Sequence, residues 1–425
     1  MARLESIYYI PHIPVVEYGK VEWVRNTSLR PIDGLPQLFW KEGRPWTEAN
    51  HWALDKSSQQ AVKLSTIESL MGHLHKYANW LETEEIDWRH FPIRKSDRVL
   101  FRFRGALIQA RDSGQLRPST TTARMRAVIQ FYRHCAIHNL ISNDLPKWQD
   151  KQVVVEYLDT FGFERTLLRL TTDLSIPNRA RQGLILEDGL LPISAEHQRE
   201  LLIFTANYAS AELNLMLMSA FFTGGRIGTL TTLSVSSLES AVPDSRVLGM
   251  WCLPVGPGTG VATKFDVSGK LLIPDELMKL AKKYAYSPRR LKRQGKAAKE
   301  HKELLFLTRF GKPYKPAAIA REMVELRRNA TKSGLKFMQK FHFHQSRATF
   351  GTWLMTIALS VTSVKASIEF VRDAMMHKHE STTMRYIKFL EHTKVKIEIA
   401  NAFSEAFLGL ARHLSVKSDE RTIIA

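Results

Sequence analysis

The chain has 425 residues, and its 61 Lys plus Arg against 42 Asp plus Glu leave a surplus of 19 positive charges. That surplus favours a polyanionic partner or an anionic membrane surface, and 44% hydrophobic residues over this length suffice for two or three domains with real cores. Two cysteines, Cys135 and Cys252, exclude a disulfide framework and a thiolate zinc cluster and point to a reducing, cytoplasmic compartment.

In chain order, residues 1–54 interleave Pro11, Pro14, Pro31, Pro36 and Pro45 with Trp23, Phe39, Trp40 and Trp46, and read as an irregular extension of open role. The first 20 residues lack the basic start and continuous apolar core of a secretory signal. From Ser65 the pattern turns helical. Ser65-Thr-Ile-Glu68 reads as a capping box, and Ile67, Leu70, Met71, Leu74, Tyr77, Ala78 and Leu81 recur at helical spacing. A second helix opens at Pro118-Ser119, with Met125, Val128, Ile129, Tyr132 and Cys135 on one face and Arg124, Arg126 and Arg133 largely elsewhere. Residues 55–161 are thus expected to form a small helical domain with basic exposed surfaces.

Residues 162–192, with the turn-prone Ile176-Pro177-Asn178 and Glu187-Asp188-Gly189, read as a linker, followed by a second domain over 193–425. Ser194-Ala-Glu-His197 begins a helix expected to run toward Gly224. Its apolar part, Leu213 to Phe222, is interrupted by Asn214 and Ser219 and falls well short of the ~20 residues that span a bilayer, so no membrane contact is expected. Val247 to Val255 and Lys270 to Ile273 read as strands flanking a turn that contains Gly and Lys. Thereafter the pattern is mainly helical, including 316–330, 345–359 and 397–410. The tract Arg289 to Lys302 is strongly basic and reads equally as a solvated loop or a phosphate-contacting surface.

Three short patterns carry chemistry: Thr223-Gly-Gly-Arg226, His344-Gln-Ser-Arg347, and His377 followed nine positions later by Tyr386. Alone, a Gly-Gly-Arg turn is ordinarily a turn and a His-x-x-Arg an exposed helix face. Together they supply two guanidinium forks, two imidazoles and a phenol. Attack on a phosphodiester without a metal needs such a set, because fixed cations and donors must hold the charge spread over the phosphate oxygens. The pairs His342 with His344 and His377 with His379 invite a metal-ligand reading. Neither has the HExxH pattern of a helical zinc site, and no metal site or cofactor is expected.

In order and separation these patterns resemble the catalytic domain of the tyrosine recombinase (phage-type integrase) family over roughly residues 190 to 400. The resemblance implies a fold mainly α with a small antiparallel β-sheet, in which a helical core-binding domain (55–161) and the catalytic domain (193–425) form a clamp on DNA. It implies a site-specific recombinase that cleaves and rejoins DNA through a 3′-phosphotyrosine intermediate, integrating or excising a mobile element. Tyr386 would be the nucleophile, Arg226 and Arg347 would clamp the non-bridging oxygens, His344 would act as base or donor, and His377 would donate to a phosphate oxygen. A lysine on the hairpin would protonate the leaving 5′ oxygen, with Lys264 the candidate and Lys270 its rival.

The implied partners are double-stranded DNA, in the nucleoid, and three further copies of the chain on two duplexes, or other recombinases in a mixed oligomer. Candidate DNA-contacting residues are Arg117, Arg124, Arg126 and Arg133, with Arg289, Arg290, Lys292 and Arg293 from the basic tract. Two positions depart from the family pattern: Thr229 stands where an acidic residue commonly follows the first arginine, and Met376 where a glycine commonly precedes the third-box histidine. A C-terminal stripe, Ile397, Ala400, Phe403, Phe407 and Leu410, packs on its own core or docks on a neighbouring protomer. Competing readings are a non-catalytic DNA-binding accessory factor on the same fold, a type IB topoisomerase-like enzyme, and a telomere resolvase.

Overall fold

The computed structural model describes residues 1–58, 62–158, 164–177, 186, 189–245 and 247–394. The chain divides into two compact units, Met1–Ala180 and Arg181–Ala425. The stripe expected over 397–410, with Asn178, Glu187 and Asp188, lies outside the described residues.

In the first unit, β1 (Arg3–Tyr9) pairs antiparallel with β4 (Ile32–Phe39), and β2 (His12–Glu17) pairs with β3 (Lys20–Arg25). Tyr18 and Gly19 turn the second pair with φ of 48° and 76°, the double left-handed geometry of a two-residue hairpin loop. Four helices follow: α1 (Thr47–Ser58), α2 (Leu64–Thr83), α3 (Val99–Asp112) and α4 (Pro118–Ile137). A long hairpin, β5 (Asp150–Leu158) with β6 (Glu164–Thr172), closes the unit.

The reading of residues 1–54 as an irregular extension is corrected. Ala2, Leu35, Leu38, Trp46, Ala49, Trp52 and Ala53 share one core with Leu74, Tyr77, Phe103, Phe131 and Tyr132 of the helices. The prolines misled because each of these sheets has two strands, so every strand is an edge, where a residue without an N–H is tolerated; Pro14 and Pro36 both lie within strands. The side chain of buried Asn50 on α1 pairs with both backbone groups of Leu38, accepting from its N–H at 2.7 Å and donating to its carbonyl at 3.0 Å. It thereby acts as a further strand residue for β4.

Two other expectations shift. The capping box at Ser65 is not formed: the N-cap of α2 lies two residues earlier, at Lys63, with no side-chain cap bond. The expected linker contains β6, whose mixed Thr, Leu and Arg sequence shows no continuous apolar face and hence little strand periodicity.

The second unit begins with α5 (Ala195–Tyr208) and α6 (Ala211–Thr223), expected as one helix but broken at Ala209–Ser210, where Ser210 Oγ caps a new start by accepting from Leu213 N–H. Then come α7 (Ile227–Leu230), α8 (Val235–Glu239) and a three-stranded antiparallel sheet, β7 (Val242–Pro243), β8 (Met250–Val255) and β9 (Gly269–Pro274), in spatial order β7-β8-β9. The remaining helices are α9 (Asp275–Ala285), α10 (Pro288–Gln294), α11 (Pro316–Lys332), α12 (Gln345–Val361), α13 (Val364–Ala374) and α14 (380–394). Helix α6 is apolar on most faces because it runs through the core, burying Leu213, Leu215, Met216, Leu217, Ala220 and Phe221. Among the described residues, no helix is long and apolar enough to cross a membrane.

Candidate active site

The first arginine is presented by the turn that ends α6. Thr223 Oγ1 donates to Ser219 O at 2.6 Å and accepts from Gly225 N–H at 3.1 Å, which ties the turn to the helix before it. Gly224 closes the helix at φ 65°, and a Cβ there would run into the Phe350 ring; a Cβ at Gly225 would lie 2.7 Å from Leu230 Cδ2. Both glycines are therefore required by space, and Gly224 also by its left-handed backbone. Gly224→Ala is expected to cost about 2–4 kcal/mol, from backbone strain plus overpacking against α12. Thermal unfolding of the full chain checks this, and an unchanged Tm would mean that the Phe350 ring moves aside at no cost. Arg226 follows at the N-cap of α7.

Lys264 stands on the loop joining β8 to β9. Gly256 lets that loop close, since a Cβ there would lie 2.7 Å from Val267 O, and Ala262 N–H donates to Thr232 Oγ1 at 2.9 Å, fastening the loop to the segment after α7. Phe265 and Asp266, with φ of 65° and 53°, carry the chain past Lys264. Lys270 lies on β9 opposite Pro254.

His344 is the N-cap of α12, and Arg347 is its third residue. Arg347 is only 1% exposed; Nη1 donates to the Gly224 carbonyl and Nη2 to the Met375 carbonyl. One guanidinium fork thus joins the turn before Arg226 to the loop before His377. That loop depends on Met376, which takes φ 50° where glycine would be unstrained. Burial of this Met against Gly269, whose Cβ would lie 2.7 Å from Met376 Cγ, contributes about 2 kcal/mol. That outweighs the ~1 kcal/mol backbone cost, which accounts for the departure from the family glycine. The other departure, Thr229, is buried, with its N–H bonded to the Arg226 carbonyl at 2.9 Å.

His377 Nδ1 is 2.8 Å from Thr383 Oγ1, and its ring stacks beside that of Tyr386, with centroids 6.0 Å apart and planes at 22°. Tyr386, on α14, is 1% exposed and fits against α12 only because residue 351 is glycine, where a Cβ would stand 2.5 Å from Tyr386 Cε1. Thr383 belongs to the Ser-Thr-Thr run before Tyr386; Gly351 and Met375 carried no signal in the sequence.

Four of the six expected catalytic residues, Arg226, Lys264, His377 and Tyr386, line one cavity of about 160 Å³. His344 lines a neighbouring one of about 530 Å³ that shares Arg226 and Lys264. Arg347 is among the lining residues of neither and lies buried. Lys270 lines a different hollow, with His377, Asp373 and Met376. The smaller cavity adds Lys378 and Arg385, two cations that spacing alone had not singled out, and among the described residues neither cavity is lined by a carboxylate. Such a surface favours an anion with several oxygens.

The basic tract needs correction. Arg290 is 2% exposed and spends its guanidinium on backbone carbonyls, with Nη2 donating to Lys302 O at 2.8 Å and Leu304 O at 3.0 Å. Arg289 forms a fork with the Glu212 carboxylate at 2.8 and 2.9 Å, while Arg293 donates to Leu307 O and pairs with the same carboxylate. Lys292 is exposed. These arginines hold α10 and the following segment onto α6, so Arg290 in particular is not a DNA contact. In the first unit Arg117 and Arg126 are exposed, Arg124 is half-buried, and Arg133 pairs with Asp150 at 2.6 Å.

The Glu212 side chain is fully buried. Burial by itself would push its carboxyl up, but bonds from Arg289 and Tyr284 and the charge of Arg293 outweigh that and hold it below its ordinary value near 4.5. A carboxylate depressed on folding contributes stability above its unfolded value and loses it as pH falls through the folded one. Glu212→Gln is expected to cost about 2–4 kcal/mol at neutral pH, discounted because Arg289 is half exposed. Denaturant titrations at neutral and acid pH should show the gap between variant and wild type narrowing below pH 4.5.

Residues 194–393 match the model of the phage integrase family. That match agrees with the fold class expected from the sequence, and it identifies residues 194–393 as a domain of the tyrosine recombinases, enzymes of site-specific recombination. Among solved structures, the integrase of transposon Tn1549 in complex with transposon right end DNA is 14% identical, over 83% of this chain and 99% of that one, with a TM-score of 0.48. A lambda integrase dimer bound to a COC′ core site is 14% identical, over 80% and 94%, with a TM-score of 0.46. No curated protein sequence matches the chain.

Proposed function

We propose that this recombinase cleaves and rejoins DNA by transesterification at Tyr386, through a 3′-phosphotyrosine, to integrate or excise a mobile element. The observation that carries the reading is the cavity in which Tyr386 and His377 meet Arg226, Lys264, Lys378 and Arg385, with no carboxylate among the described residues that line it. The Tyr386 oxygen attacks phosphorus, the bond to the 5′ oxygen breaks, and the electron pair leaves with that oxygen, which Lys264 protonates. Lys264 suits this role better than Lys270 because it shares the cavity with Tyr386. The phenol proton passes toward His344. Arg226 faces the non-bridging oxygens, and Arg347 adds fixed charge close by while holding the two loops together.

The phosphotyrosyl ester keeps the energy of the broken bond, so a second 5′-hydroxyl reverses the step without ATP. Exchange between two duplexes involves four strands and one nucleophile for each, hence four copies of the chain. The first unit, with Arg117, Arg124 and Arg126, and the exposed Lys292 supply phosphate contacts, and affinity for DNA falls steeply with salt.

Incubation with nicked suicide DNA from the element's own ends, without divalent metal, followed by denaturing electrophoresis and peptide mapping, tests this. A covalent adduct mapped to Tyr386 is the expected result. Tight binding without an adduct would overturn the mechanism in favour of a DNA-binding accessory role, and relaxed circles or hairpin ends as products would assign the chemistry to a topoisomerase or a resolvase.

A further inference from the structure

The first unit contains a donor cluster that the recombination chemistry does not use. Helix α1 carries His51 and Asp55 one turn apart, and α4 carries His134 with His138 one turn further, at its C-cap. Residues four apart share a helix face, and here the two pairs face each other. The three imidazole rings are mutually close, with centroids 5.3 Å apart for His51 with His134, 5.3 Å for His51 with His138 and 4.2 Å for His134 with His138. One ligand atom each from Asp55, His134 and His138 lies within 4.8 Å of the others. His134 Nδ1 is 3.6 Å from Asp55 Oδ2, and its Nε2 is 3.1 Å from His51 Nδ1.

We infer that Asp55, His134 and His138 bind a divalent transition metal of the Zn²⁺ class, with His51 as the positioning residue that holds the His134 ring. Zinc bonds of ~2.0–2.1 Å in tetrahedral array place ligand atoms roughly 3.3 Å apart, so the three side chains need to close by about 1 Å or less on average from their present spacing. Bound through Nδ1, His134 keeps Nε2 for its bond to His51, the arrangement by which a second group fixes a ligating histidine's tautomer and ring plane. His134 is 7% exposed, so the site has one buried donor. Asp55 is half-buried and His138 exposed, which leaves an entry path and a fourth position for water. Two nitrogen donors and one carboxylate select Zn²⁺, Co²⁺ or Ni²⁺ over Mg²⁺ and Ca²⁺, which demand oxygen shells.

The ion would clip α1 to α4. It would thereby fasten the N-terminal strands and α1 onto the helices, a role independent of the chemistry at Tyr386. The expectation of no metal site rested on histidine pairs close in sequence; these donors come from helices whose nearest bonded pair, His51 and His134, is 83 positions apart.

The test is titration of the chelator-stripped full chain with Zn²⁺, Co²⁺ and Mg²⁺, followed by calorimetry, visible absorption and thermal unfolding. Expected are one equivalent of Zn²⁺, a tetrahedral Co²⁺ absorption band and a higher Tm with Zn²⁺ but not Mg²⁺. Asp55→Ala and His138→Ala, at positions exposed enough to leave the fold intact by circular dichroism, should each weaken binding at least 10-fold, and His51→Ala roughly 10- to 100-fold. No saturable binding, equal response to Mg²⁺, or affinity unchanged in both ligand variants would overturn the assignment. The last result would place the ion on other histidines.

Discussion

Tyr386→Phe is expected to abolish the covalent DNA adduct and recombination while leaving the fold and DNA binding in place. Removing a nucleophile costs at least ~10⁴-fold in the chemical step. Phe has no oxygen with which to form the ester, and no second phenol is found among the described residues that line the cavity. The ring itself is retained. It continues to stack beside His377 and to fill the space over Gly351, so the loss of stability should stay within about 1 kcal/mol, the worth of one hydroxyl's bonds. Gel shift and circular dichroism measured alongside the adduct assay separate the two effects. An adduct that persists in the Phe variant would move the nucleophile elsewhere; collapse of the fold would mean that the hydroxyl, not the ring, holds α14 in place.

Arg347→Lys is expected to damage stability and chemistry together. The guanidinium reaches the Gly224 and Met375 carbonyls at once from a site 1% exposed, and a lysine ammonium, a point donor on a thin stem, reaches one of them at best. A buried carbonyl left without a partner costs about 1–3 kcal/mol, and the charge also loses its planar delocalisation, so a total of about 2–4 kcal/mol is expected. In a unit of this size that lowers Tm by roughly 5–15 °C. Because the two carbonyls precede Arg226 and His377 by two residues each, both active-site loops loosen, and the rate of adduct formation should fall by ~10²–10³-fold even where the protein is folded. A variant with wild-type Tm and a large loss of rate would assign Arg347 to the phosphate alone; the reverse pattern would make it purely structural.

Much of the catalytic unit was legible in sequence because its signals are local. Thr223-Gly-Gly-Arg226 encodes a helix stop and a turn, and Gly224 is indeed at positive φ. The β8–β9 pair, the start of α4 at Pro118 and the apolar stripe of α2 follow from periodicity and from proline's fixed φ. The first unit was less legible. Its strands carry prolines and mixed faces, and their contribution to the core rests on contacts such as Asn50 with Leu38 that no spacing rule anticipates.

By itself the sequence determined which groups are available for chemistry and in what order they come: two arginines, two histidines, a lysine hairpin and a tyrosine, on a chain with excess positive charge. Only the tertiary structure decided how each cation is used. Arg290 and Arg385 look alike in sequence, yet one is locked onto buried carbonyls and the other lines the cavity. The same holds for Met376, whose left-handed backbone is offset by burial, and for the histidines of α1 and α4, which become neighbours only when the helices pack. The physical reason is range. Periodicity and turn chemistry act over a few residues, whereas burial, carbonyl capture and donor clustering depend on partners brought together by packing.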